Sequence, residues 1–176
     1  MRKLSLKELN RLSVNEFKAT EKTPITLVLD NIRSGLNVGS AFRTADAFAL
    51  YQIFLCGITA TPPHREILKT AIGASEAVDW EHFEQTESAL EALKAQNYQI
   101  FVVEQTDVSV PLQAVEADPN RPIALVFGNE VKGVQEQLLP MADACVEIPQ
   151  FGTKHSLNIS VCLGVVVWEF VKQLKF

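Results

Sequence analysis

Residues Ile25 to Asp46 read ITLVLDNIRSGLNVGSAFRTAD. The first six are a short β-branched and apolar run ending in an acid, the pattern of a buried strand. A polar loop with Asn31 and Gly35 follows. Then Val38, Ala41, Phe42, Ala45, Phe48 and Ala49 recur at three- and four-residue spacing. That spacing predicts a helix with one apolar stripe, and Asn37 is its expected N-cap. Strand, loop and helix in this order form the first half of a β-α-β unit.

The same alternation runs outward from this stretch. Strands are expected at Tyr51–Gly57, Tyr98–Glu104, Pro122–Phe127 and Ala144–Ile148, with a short one at Ala77–Trp80. Thr86–Gln96 reads as an amphipathic helix capped by Thr86 with acids in its first turn. Gly133–Leu139 reads as a short helix ended by Pro140. The tail Leu157–Phe176 contains a Val-Val-Val run that suits a strand, but its length and the Val161–Val165–Trp168–Val171 spacing favour a helix capped by Ser156. That helix is apolar almost all round, so it needs a partner surface, which in so small a domain points to a second subunit. The fold class expected is α/β, with a Rossmann-like parallel sheet covered by helices on both faces. Ligands of such sheets bind where strands end at their carboxyl termini. The loops that matter therefore start at Asp30, Gly57, Glu104, Phe127 and Ile148.

The chain has 176 residues, 47% of them apolar, which fits one domain with a sizeable core. Net charge is −5, divided between +4 over residues 1–70 and −9 over the remainder. The basic front half permits a phosphate-binding surface; solvated helix faces account for the same asymmetry. Cys56, Cys145 and Cys162 are scattered, which suits reduced thiols and a cytoplasmic setting. The start, MRKLSLKELNRL, is charged throughout and lacks the pattern of a signal peptide. Ile159–Trp168 is too short to span a bilayer, so no membrane partner is expected. Residues 1–22 are expected to be a basic helical extension, with Lys3, Lys7 and Arg11 on the helix of its first eighteen, and 23–176 the domain proper.

Three loops carry chemistry-bearing residues. Gly128 and Gly133 have the spacing of a phosphate-binding P-loop, but Val134 and Gln135 follow where that motif needs Lys and Ser/Thr. The Rossmann glycine fingerprint is absent too, because Gly35 and Gly39 have the wrong spacing. ATPases and nicotinamide oxidoreductases lose ground. His64, His82 and His155 share no metal-ligand spacing, so no metal site is expected. Glu130 reads as a helix-start acid or a functional carboxylate. Ser156 and Asn158 read as caps or as site residues. Arg43, above Gly39 and Ser40 on the same helical side, reads as the partner of a nearby acid or as a phosphate ligand near a helix N-terminus, with Arg33 one loop away.

Together these loops resemble the SpoU (TrmH-like) family of RNA ribose 2′-O-methyltransferases in the SPOUT superfamily. The resemblance rests on Asn31 and Asn37-x-Gly39-x-x-x-Arg43-Thr-Ala45, on Gly128-x-Glu130-x-x-Gly133, and on Ile148-Pro149 followed by Ser156-Leu157-Asn158-x-Ser160. It implies an S-adenosylmethionine-dependent enzyme without a metal, acting on tRNA or rRNA, with tRNA favoured. It also implies a C-terminal deep trefoil knot and a homodimer through the C-terminal helix. Carried over by position, Gly128, Ile148 and Leu157 would contact the cofactor, with Glu104 and Gln105 beside them. Arg43, Asn37, Glu130, Ser156 and Asn158 would form the catalytic site. Arg43 is implied as a base or as a clamp on a substrate phosphate. RNA binding would fall to Arg33, Arg43, Lys3, Lys7 and Arg11. The chain departs from relatives at Ala71-Ile-Gly-Ala74, where Ser often opens the motif. A non-catalytic RNA-binding or assembly protein with the same fold is the alternative; it predicts decayed motifs, and these are intact.

Overall fold

The structure, a computed structural model, describes residues 1–5, 8–9 and 11–176. Lys7 lies outside the described residues. Seven strands form one sheet in the order β3-β2-β1-β6-β4-β7-β5, parallel at every pairing. They are β1 (Thr23–Asp30), β2 (Leu50–Cys56), β3 (Trp80–Phe83), β4 (Gln99–Val103), β5 (Val110–Pro111), β6 (Ile123–Phe127) and β7 (Ala144–Glu147). The expected doubly covered α/β architecture is therefore present. Side chains alternate across the pleat. Ile25, Leu27 and Leu29 join Ile123, Leu125 and Phe127 in the core on one face, while Val28 joins Ala124, Val126 and Ile100 on the other.

Among the described residues six helices flank the strands: α1 (Val14–Ala19), α2 (Gly35–Ala47), α3 (Arg65–Ala71), α4 (Ala74–Ala77), α5 (Thr86–Ala95) and α6 (Ile159–Lys175). α2 and α6 cover the first face through Val38, Phe42, Leu163, Val167 and Phe170. α5 covers the second through Ala89, Leu90 and Leu93. Burying a side chain such as Phe42 or Phe170 contributes about 1.5–3 kcal/mol, and both are 0% exposed. The Val-Val-Val run is helical because Leu163, Val166, Val167, Phe170 and Val171 fall on one buried stripe.

Several local expectations are corrected. Helix in the N-terminal segment is confined to Val14–Ala19 among the described residues, and it is held to the core by Phe17. The strand expected at Ala77–Trp80 starts at Trp80, because residues 74–77 are helical. The helix expected at Gly133–Leu139 is a 3-10 turn at Glu136–Met141 with Pro140 inside it. α3 was not anticipated: it spans seven residues and buries only Ile67 and Ala71, too few to show a period.

Three caps also differ from expectation. Ser34 caps α2, accepting from the Asn37 amide at 3.3 Å; Asn37 lies inside the helix. Asn158, not Ser156, caps α6, accepting from the Ser160 amide at 2.9 Å. Gln85 precedes α5, and the Thr86 hydroxyl instead donates to buried Asp30 at 2.6 Å. In each case a residue of capping type is engaged elsewhere or stands free of the helix end.

Candidate active site

The carboxyl ends of β4, β6 and β7 open onto a cleft of about 720 Å³. It is lined by Glu104 and Gln105 after β4, by Gly128 to Gly133 after β6, and by Ile148, Ser156, Leu157 and Asn158 after β7. All five expected cofactor contacts thus line one cavity. Its size falls within the range of small-molecule sites. Its walls combine apolar Val103, Phe127, Val146 and Ile148 with Glu104, Asn129 and Glu130.

The loop after β6 is fastened on every side. Gly133 sits at φ +70°, and a Cβ there would lie 2.1 Å from Glu104 Oε2. Glu104 uses that oxygen to accept from the Val134 amide at 3.0 Å, and the other to accept from Gln105 N at 2.9 Å. Asn129 donates to the Asn31 carbonyl at 2.7 Å. Gln135 donates to Asp30 through its amide at 3.1 Å and its side chain at 2.8 Å. Asp30 is fully buried, and four hydrogen bonds, the fourth from Asn31, replace its lost water. Asp30, Asn129 and Gln135 were missed in the sequence. The available signal was an acid at the end of an otherwise apolar strand.

Glu130 reaches back to the start of α2. It accepts from the amides of Arg33 at 2.9 Å and Ser34 at 3.1 Å, and from Asn37 Nδ2 at 2.9 Å. Burial pushes its carboxyl up, but these bonds and one from its own amide outweigh it and hold the group below its ordinary value. Asn37 Oδ1 faces Asn158 Nδ2 at 3.4 Å. Asn37, Glu130 and Asn158, far apart in sequence, are therefore contiguous. Ser156 lies on the cleft wall and is exposed.

Arg43 sits elsewhere. It lines a second depression, of about 600 Å³, with Ser40, Thr44, Lys69, Thr70, Ser160 and Gly164. It is the ninth residue of α2, not part of its N-terminal turn. Gly39 makes no room for a ligand: a Cβ there would lie 2.2 Å from Thr70 Oγ1 and 2.3 Å from the Ile67 carbonyl. The glycine is a notch for α3. Ser40 does line the Arg43 depression. Among the described residues Arg43 forms no ion pair, so the acid-partner reading falls away. Lys69 joins it, a cation the sequence did not single out. Arg33 is exposed beside Glu130. Lys3 and Arg11 are exposed in the N-terminal segment and line neither cavity.

Residues 24–168 match the SpoU rRNA Methylase family. The chain belongs to that family. It is 32% identical over 167 residues to the 23S rRNA (guanosine-2′-O-)-methyltransferase RlmB of Haemophilus influenzae, covering 95% of this chain and 67% of that one. The RlmB of Vibrio parahaemolyticus is 29% identical over the same length, with 66% of it covered. The chain thus spans about two thirds of these curated relatives. Among solved structures, the A. aeolicus TrmH/SpoU tRNA modifying enzyme superposes with a TM-score of 0.80 at 25% identity, over 91% of this chain and 80% of that one. The AdoMet-bound rRNA methyltransferase from Sinorhizobium meliloti gives 0.81 at 27%, over 91% and 61%. The SpoU fold is thus common to all of them, and in this member it brings the three motifs to one end of the sheet.

Proposed function

We propose that this SpoU-family chain is an S-adenosylmethionine-dependent RNA methyltransferase acting on a ribose 2′-hydroxyl of rRNA or tRNA. One observation carries the reading. The cleft lined by Gly128, Ile148, Leu157, Glu104 and Gln105 opens onto the Asn37–Glu130–Asn158 cluster. The cleft fits the cofactor: apolar walls suit an adenine ring, and Glu104 with the loop carbonyls suits hydroxyl and ammonium groups.

Bound there, S-adenosylmethionine supplies an electrophilic methyl group on a sulfonium. The chain's own task is alignment. A ribose hydroxyl is a poor nucleophile, so holding it in line with the methyl supplies much of the rate. Arg43 is assigned the clamp. A guanidinium offers paired donors in a fixed plane that match a phosphate, and it does not serve as a base. Lys69 reinforces the positive charge of that depression. Glu130 ties the cofactor loop to the start of α2, so the wall of the cleft and the helix bearing Arg43 keep one spacing. The sequence reading favoured tRNA, whereas the curated relatives just described act on 23S rRNA, so both belong in the first assay.

Three further features extend the proposal. Val161, Val165 and Trp168 stand 52%, 42% and 48% exposed at i, i+4 and i+7 of α6. Such a stripe supports a homodimer through this helix. The position of β7 between β4 and β5, ahead of α6, supports the threaded C-terminal knot. The free thiols support a cytoplasmic setting. The test is calorimetric titration with S-adenosylmethionine, followed by methyl transfer to unmodified 23S rRNA and tRNA transcripts. Binding with a new 2′-O-methyl nucleotide is the expected result. Failure to bind in the presence and absence of RNA would refute it and favour a non-catalytic role.

A further inference from the structure

The cofactor cleft and the Arg43 depression are linked by one hydrogen-bonded pair of side chains. Ser160 lines the depression, while its partner Asn158 lines the cleft. Ser160 donates twice to Asn158 Oδ1, from its hydroxyl at 2.6 Å and its backbone amide at 2.9 Å. A backbone N–H can only give a proton, so that Asn158 atom is the amide oxygen. Its nitrogen is then what faces Asn37. Asn37 turns its oxygen to Asn158 and its nitrogen to Glu130 Oε1. A carboxylate can only accept, which fixes the far end as well. The chain of hydrogen bonds runs one way, from Ser160 to Glu130. Its loosest member is the 3.4 Å contact between the two asparagines.

The consequence falls on Ser160. Its single proton is committed inward, so only lone pairs remain for anything entering the depression. The facing Arg43 and Lys69 are donors alone. The pocket therefore presents both donors and acceptors: Ser40 and Thr70 also spend their protons, on the Leu36 carbonyl, but Ser160 is the one bonded to a residue of the cofactor cleft.

We infer that Ser160 Oγ is the acceptor that orients the incoming ribose 2′-hydroxyl. A hydroxyl whose proton points at Ser160 turns its own lone pairs away from that residue, free to face the cleft beyond Asn158. The Arg43 guanidinium meanwhile holds the adjoining phosphate. The arrangement also selects RNA over DNA: a 2′-deoxy sugar has no hydroxyl proton to give, and the serine lone pairs would receive no donor from it. The inference rests on the methyltransferase reading above and adds a residue and a role to it.

The test compares Ser160→Ala and Ser160→Thr with wild type, using the 23S rRNA or tRNA transcript that wild type methylates faster. S160A should lower kcat about tenfold to a hundredfold through lost orientation, with KM for RNA and S-adenosylmethionine affinity little changed. S160T keeps the hydroxyl and should recover most of the rate. Three results would overturn the inference: an S160A kcat within about twofold of wild type, S160T as slow as S160A, or cofactor affinity falling in parallel with kcat. No transfer by wild type to either transcript would bring down the methyltransferase reading itself and this inference with it. An active wild type beside an unimpaired S160A would bring down the inference alone.

Discussion

The two cavities are built on opposite plans. The cleft after β6 is fastened by hydrogen bonds from four directions and walled by a glycine that tolerates no side chain. The Arg43 depression is more open and cationic, and its arginine is exposed with no ion pair among the described residues. A site for one small molecule is best finished within the chain, because pre-organisation removes the cost of ordering it on binding. A site for a macromolecule gains from charges left unneutralised, because the partner's phosphates complete them. The difference matches the proposed division, cofactor in the cleft and RNA at the depression.

Four substitutions break or sharpen that contrast. The largest effect belongs to Arg43→Ala, which should slow methyl transfer by about 10³-fold or more, as for loss of a key electrostatic group. Its S-adenosylmethionine affinity by calorimetry should stay within about threefold, and full activity would remove Arg43 from the mechanism. Gly133→Val should do the reverse. It forces the cofactor loop off Glu104 and should weaken cofactor binding by about a hundredfold or more, while RNA retention on a filter persists. Undiminished cofactor binding would mean the loop is not the rigid wall described here.

Trp168→Asp tests whether a second copy covers the exposed stripe of α6. Light scattering should report monomers or insoluble protein, and an unchanged soluble dimer would move the interface elsewhere. The smallest effect is that of Glu130→Gln. The Glu130 carboxyl is held below its ordinary value, so its contribution is present above about pH 4.3, the unfolded value, and is lost as pH falls through the lower folded one. The group is exposed and screened by solvent, so at most about 1 kcal/mol is expected, a Tm change of no more than roughly 2–4 °C at neutral pH. E130Q should lose that acid-side slope, and an unaltered slope in thermal melts at pH 3–6 would show that another carboxylate causes it.

The sheet was legible because its five principal strands are short apolar runs, and burial on both faces of a parallel sheet leaves such runs no other place. The site was legible as residues but not as geometry. Asn37, Thr86 and Ser156 were read as caps because Asn, Thr and Ser are good caps. The fold places the first two on Glu130 and Asp30 and leaves the third on the cleft wall, while Ser34 and Asn158 do the capping. Local propensity has no knowledge of a carboxylate arriving from far along the chain. Gly39 shows the same limit: its smallness accommodates α3, yet in sequence it sits where room for a ligand would be read.

The span of the site's contacts has a kinetic meaning. Glu130 meets Arg33, Ser34 and Asn37 across 97, 96 and 93 residues, and Asn158 meets Asn37 across 121. Such contacts close only after the intervening chain has been ordered, because loop closure is entropically costly until other contacts support it. The centre of the sheet already waits for β6, which pairs with β1, and the site waits longer still, for α6. A ribosome must therefore have delivered α6 before these contacts can close, and any shorter product lacks the Asn37–Asn158 junction.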